Sequence, residues 1–256
     1  MIPSPIGKVL SILKKRRVRA LLMGGQACVL YGAAEFTRDV DLAVDPDEKN
    51  LDRLRAAIDE LCAEAVFVPP LGRDVLLQGH ACHFRAGILE ANGLRVDVMS
   101  VMHGCDSFKQ LWTRRRRVRL SQTLSVDVMS LPDLLKAKKT QRDKDWPMVR
   151  RLVEADYHQR PNRPSATQVE LWLREARTPE LLVRLVQTYP GRARWLAESR
   201  LAVQLALDGN LDEVIRELRA EEDAFRAADR AYWEPLRAEL AQWRSQRDRK
   251  RRRVSE

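Results

Sequence analysis

The chain has 256 residues, with 46 Lys and Arg against 36 Asp and Glu, a formal net charge of +10. Hydrophobic residues make up 45% and charged ones 32%, a balance that excludes a disordered chain and suits a soluble globular protein with one large or two modest cores. No apolar run approaches the roughly 20 residues of a membrane span, so no membrane association is expected.

Met1–Pro5 has no signal-peptide pattern, because Lys8 and the Lys14–Arg17 run interrupt any apolar segment. A cytoplasmic location is the expectation. Cys28, Cys62, Cys82 and Cys105 are widely spaced and form no C-x-x-C pair, which argues for reduced thiols rather than a disulfide or zinc framework.

Ile6, Val9, Leu10 and Leu13 fall at helical spacing over residues 5–16, and a strand is expected at about 19–23. Next come Leu21-Leu22-Met23-Gly24-Gly25-Gln26-Ala27, Gly32 and Phe36-Thr37-Arg38-Asp39-Val40-Asp41-Leu42. They read as strand, glycine turn, short helix, loop and second strand. Strand side chains alternate, so Asp39 and Asp41 share one face while Val40 and Leu42 turn to the core. Two carboxylates so close repel unless something positive lies between them. Hard oxygen ligands favour Mg2+ or Mn2+ in that role. The glycine pair at a helix start offers unpaired N–H groups to an anion.

Asp45-Pro46-Asp47 is a turn, and Leu51, Leu54, Ala57, Ile58 and Leu61 form one apolar helical face. Val66–Pro70 ends a short strand at its prolines. Two extended segments at about 80–89 and 94–101 join through Asn92-Gly93, a strong hairpin signal. Asp97 faces opposite to Val96 and Val98. Asp is poor in strands, so it needs a reason, and a pair with Arg95 or an edge position would serve. His80-x-x-His83 is a poor metal pair, because residues three apart on a strand face opposite sides.

Residues 106–112 read as helix and 124–128 as strand. Leu131-Pro132-Asp133 opens a helix with proline in its first turn. Continued through Lys138 and Arg142, it would set those two cations on one face. Two basic concentrations stand out: Arg114–Arg117 with Arg119, and the tail 244–256, with seven Arg and Lys against Asp248 and Glu256. They suit polyanion contacts or solvated charge equally.

After the polar stretch 160–165 the pattern is wholly helical. Helices are expected near 166–176, 179–188, 192–208 and 211–245, with Pro235 kinking or splitting the last. Leu201, Val203, Leu205 and Leu207 are core-type positions, and Trp172, Trp195, Trp233 and Trp243 read as helix-packing residues.

The order Gly24-Gly25, helix, Asp39-x-Asp41-Leu42 resembles the signature of the nucleotidyltransferase superfamily of DNA polymerase beta type. Gly-Gly-Gln-Ala…Gly…Phe-Thr-x-Asp-x-Asp-Leu is similar to its minimal bacterial abortive-infection and toxin–antitoxin members. Residues 131–145 resemble that group's second motif, matching Lys138, Arg142, Lys144 and Asp145. Glu35 stands where many members carry Arg, and Arg38 is the substitute.

The resemblance, covering about residues 20–150, implies an α/β (α+β) fold. A mixed-sheet nucleotidyltransferase core over 1–158 would be followed by an α-helical domain over 165–256. It further implies Asp39, Asp41 and Asp97 as catalytic metal ligands, and Gly24, Gly25, Arg38, Lys138 and Arg142 as nucleotide-binding residues. Mg2+ or Mn2+ would be the cofactor and a nucleoside triphosphate the co-substrate. A hydroxyl on RNA or tRNA would accept the nucleotide, with a protein or small-molecule hydroxyl as alternatives, and a cognate antitoxin or toxin protein would be a partner. A catalytically inert copy of the fold that binds nucleic acid or a partner is the contrasting reading.

Overall fold

A computed structural model describes residues 4–34, 36–66, 69–159 and 163–255. The chain forms two compact units. One comprises Met1–Val29, Phe36–Leu134 and Ala231–Glu256, the other Leu30–Glu35 and Leu135–Arg230. These lines differ from the sequence division at 158 and 165, since residues 135–159 group with the helices that follow.

The first unit is built on a sheet. Helix α1 (Ser4–Lys15) buries Ile6, Val9, Leu10 and Leu13 as its spacing predicts, and Arg17 ends it with φ 56°. Strand β1 (Ala20–Met23) leads straight into α2 (Gly24–Leu30), so the glycine pair is the helix's first turn rather than a loop before it. Strand β2 (Asp39–Val44), α3 (Glu48–Glu60) and β3 (Glu64–Ala65) follow. The strand expected at 66–70 gives only the pairing Val66 N–H to His83 O within the described residues; Phe67 and Val68 lie outside them. Then come α4 (Arg73–Leu77), β4 (Cys82–Arg85) and β5 (Arg95–Met99).

The expected hairpin is present: β4 and β5 pair antiparallel. Its connection is longer than an Asn-Gly turn, with a 3-10 turn at Leu89–Ala91 and Gly93 in the left-handed region at φ 77°. Helix α5 (Phe108–Thr113) precedes β6 (Arg116–Arg119) and β7 (Ser125–Val128). Strand β6 was not expected. It is an edge strand with one apolar residue, so no hydrophobic alternation marked it.

The described strands form one mixed seven-stranded sheet in the order β3-β4-β5-β2-β1-β7-β6. Strands β2 and β5 run parallel, as do β1 and β7, and the other neighbours are antiparallel. Register puts Cys82, Val98, Leu42, Leu22 and Val128 in one row across five strands, all buried. Apolar side chains in line at strand spacing of about 4.8 Å make a continuous core layer.

Helix α6 (Leu131–Lys138) starts in this unit, with Pro132 in its first turn. It stops sooner than expected, leaving Arg142 off the helix. The Thr140 hydroxyl donates to Asp145 and accepts from the Arg142 N–H, and the Trp146 indole donates to the Thr140 carbonyl. These bonds give the backbone an alternative to the helical ladder. A 3-10 turn (Asp143–Asp145) then opens α7 (Trp146–Gln159).

The second unit is helical. Helices α8 (Ala166–Glu175) and α9 (Pro179–Thr188) match expectation. The single helix expected over 192–208 is two, α10 (Pro190–Ala197) and α11 (Leu201–Leu207). Arg200 is extended at φ −140° between them, and its buried guanidinium donates to Leu173 O, Ala176 O and Glu221. Polar groups buried here must be bonded, and this break lets Arg200 reach three acceptors at once. Leu201 is consequently exposed, while Ala202, Val203 and Ala206 are buried.

Helix α12 (Leu211–Ser255) runs through Pro235, which does not split it. Its C-terminal part belongs to the first unit, where Glu239 bonds His80 at 2.7 Å and the Trp243 ring lies 4.8 Å from His80. Trp172 is fully buried, donates to Asp156 at 2.9 Å and meets Tyr157 edge-on. Trp172→Ala should lower unfolding free energy by about 3–5 kcal/mol. A urea titration showing a loss below about 1 kcal/mol would contradict this packing role. By contrast Trp195 is half exposed beside Arg174.

Candidate functional site

Two rows of side chains define the polar face of the sheet. Register aligns His83, Asp97, Asp41 and Met23 across β4, β5, β2 and β1, and Arg85, Arg95 and Asp39 across β4, β5 and β2. The period of two places both rows on the face opposite Val40, Leu42, Val96 and Val98, which are buried. Asp41 and Asp97 are therefore next-door neighbours, with Cα atoms about 4.8 Å apart, and Asp39 follows one pleat along β2.

The glycine turn closes on this face. Gly24 has φ 61°, and a Cβ there would come within 2.7 Å of Asp41 Cβ and nearer still to its carboxylate. A Cβ at Gly25 would meet Thr37 Oγ1 at 2.5 Å. The Gly25 N–H points toward Asp41 Oδ2 at 3.4 Å, beyond ordinary hydrogen-bond length. The anion facing this helix start is thus the chain's own carboxylate. Gln26, buried, donates to Thr37 O and ties the loop to the turn. Arg38 is exposed just before β2, and Glu35 lies outside the described residues.

Asp97 is held by Arg95 and His83. Its Oδ1 accepts from Arg95 Nε at 2.8 Å and sits 2.8 Å from His83 Nδ1. Arg95 Nη2 lies 3.1 Å from the same His83 nitrogen. That nitrogen donates to Asp97 only when it carries the proton, and then it cannot accept from Arg95. Burial pushes the Asp97 carboxyl up, but the His83 and Arg95 bonds outweigh it and hold it below the usual carboxylate value. The Asp97 bond in turn raises Arg95, against burial, with the charges of Asp39 and Asp41 adding to it. One guanidinium therefore feels all three carboxylates.

Among the described residues no group of three or more His, Cys, Asp or Glu is set to hold a metal ion. The donor set itself, three carboxylates on adjoining strands, has the hard oxygen chemistry of a Mg2+ or Mn2+ site. Asp97 Oδ1 is turned instead to Arg95 and His83.

Lys138 and Arg142 belong to the second unit. They meet on Asp145, which accepts from Lys138 Nζ at 3.1 Å, Arg142 Nε at 2.8 Å and the Thr140 hydroxyl at 2.6 Å. Burial raises Asp145, yet Lys138, Thr140 and Arg142 together bring it below the ordinary value. A depressed folded pKa contributes stability above the unfolded value of about 3.9, and that stability disappears as pH falls through the folded value. The stability gap between the native protein and Asp145→Asn, read from urea midpoints, should be present at neutral pH and shrink toward pH 3. A gap independent of pH would contradict it.

The arginine run leads from the end of α5 into the edge strand β6 and is partly neutralised. Arg114 bonds Asp133 and Asp106, while Arg115 and Arg117 share Asp127. Sequence reasoning missed Arg95 and His83 as site residues, although Arg95 was weighed as a partner of Asp97; His83 depends on β4–β5 register. No described helix is long and apolar enough to cross a membrane.

No family model and no curated protein matches the chain. Among solved structures it is similar to the solution structure of the antibiotic-resistance factor ANT(2'')-Ia, at 14% identity and TM-score 0.38, over 76% of this chain and 94% of that one. A likeness that distant assigns no activity.

Proposed function

We propose that this protein is a metal-dependent nucleotidyltransferase that moves a nucleoside monophosphate from a nucleoside triphosphate to a hydroxyl acceptor. The observation that carries the reading is the alignment of Asp39, Asp41 and Asp97 on one face of β2 and β5, with Gly24 packed against Asp41. Three like charges at strand spacing repel, and a fold selected for stability alone would place neutral residues there.

Asp39, Asp41 and Asp97 would hold two divalent cations, which would supply charge neutralisation at the α-phosphate and the departing pyrophosphate. The acceptor oxygen would form the new bond to the α-phosphorus as the bond to pyrophosphate breaks, and the resemblance gives Asp97 the part of orienting the hydroxyl or receiving its proton. Gly24 and Gly25, lacking side chains, leave the backbone open to close approach. Such chemistry depends mainly on positioning and electrostatics, so few residues suffice. The triphosphate counter-charge assigned to Arg38, Lys138 and Arg142 rests on the sequence resemblance. RNA, tRNA above all, is the acceptor that best suits the net charge of +10, in a toxin–antitoxin or phage-defence setting.

One observation favours the contrasting, inert reading: Asp97 is ion-paired within the chain to Arg95 and bonded to His83. Equilibrium binding of a nucleoside triphosphate with and without Mg2+ separates the two. The transferase reading expects binding that requires Mg2+ and is lost in Asp39→Ala. No Mg2+-dependent binding of the triphosphate by either protein would support the inert reading.

A further inference from the structure

We infer that Arg95 is the resident counter-cation of the carboxylate face, and that its guanidinium on Asp97 Oδ1 competes with a divalent cation for that carboxylate. The inference rests on the metal-site reading above and adds a positioning residue to it. Arg95 lies on the same strand and face as Asp97, two residues before it, and directly beside Asp39 in the β2–β5 register. Its Nε occupies the oxygen, Oδ1, that His83 Nδ1 also approaches at 2.8 Å.

The charge arithmetic favours such a device. Three carboxylates within one or two strand spacings need positive charge whether or not metal is present. A guanidinium supplies one unit permanently, since arginine does not deprotonate in proteins. It also makes the site costlier to load, because an entering ion shares Asp97 with a charge-assisted hydrogen bond already in place. A metal ion would compete with the guanidinium for the lone pairs of Asp97. Arg95 therefore sets metal affinity without touching the metal.

The test is Mn2+ alone, without nucleotide, titrated into the full-length native protein and into Arg95→Met, with free Mn2+ read by electron paramagnetic resonance. Arg95→Met should bind Mn2+ about tenfold more tightly than the native protein. Arg95→Gln keeps a hydrogen bond but no charge; it should shift affinity in the same direction and serves if the Met variant fails to fold. Equal or weaker Mn2+ binding by folded Arg95 variants, with the native protein binding, overturns the inference and leaves the metal site standing. Binding by none of the proteins overturns the metal site and the inference together. Binding in every case must be lost in Asp39→Ala; Mn2+ retained there lies elsewhere and also overturns it.

Discussion

Asp41→Asn should lower nucleotidyl transfer by about a thousandfold, the scale on which a group that stabilises transition-state charge is lost, while leaving the fold as stable as before or more so. The two halves of this expectation have one cause. Asp41 stands in register with Asp97 on β5 and one pleat from Asp39 on its own strand. The asparagine has the same shape and preserves the fit against Gly24, but removes one of three repelling charges. Residues kept for chemistry at the expense of stability behave in this way. Thermal unfolding and a transfer assay on the same preparation measure both halves. A large fall in stability with activity retained would make Asp41 a structural residue and would refute the role proposed for it.

The second large effect is expected at Gly24. A side chain there would stand within 2.7 Å of Asp41 Cβ, and the backbone is left-handed at φ 61°. The conformation alone costs an L-residue roughly 1–2 kcal/mol. The Cβ adds a clash with β2 backbone-proximal atoms that have little room to move. Gly24→Ala should thus destabilise the protein by several kcal/mol, on the order of a large core defect, and abolish transfer even where a folded fraction remains. Gly25 is the informative control. Its added Cβ would meet the Thr37 side chain, which sits on a loop and can turn aside, so Gly25→Ala should cost clearly less. A double-mutant cycle between Gly24→Ala and Asp41→Gly should show strong non-additivity, because the second change removes what the first strikes. Additive effects would mean that the two residues do not share this contact.

How far the site was legible in the sequence depended on the range of the interaction. The shared face of Asp39 and Asp41, and the burial of Val40 and Leu42, follow from the two-residue period of a strand and are present as read. Asp97 was placed on its strand by the same alternation and on its hairpin by Asn92-Gly93. Its partners were a different matter. Arg95 is visible at i−2, but only the pairing of β4 with β5 brings His83 opposite Asp97, and no local pattern encodes that register.

Failures elsewhere have equally local causes. Lys138 and Arg142 were expected to share a helix face. The Thr140 side chain competes for the backbone at that point, the helix stops, and the two cations meet through Asp145 instead. Strand β6 was hidden inside an arginine run because an edge strand needs little apolar surface. The break at Arg200 was hidden because a buried arginine with backbone acceptors cannot be told from a solvated one by residue type.

The most direct test is to follow the phosphorus. The protein is incubated with Mg2+, cell extract and each nucleoside triphosphate in turn, labelled either at the α-phosphate or at the γ-phosphate. Nucleotidyl transfer carries the α-label onto a single class of acceptor and leaves the γ-label in pyrophosphate, and Asp39→Ala transfers neither. Transfer of the γ-label instead, or α-label incorporation that persists undiminished in Asp39→Ala, would contradict the account.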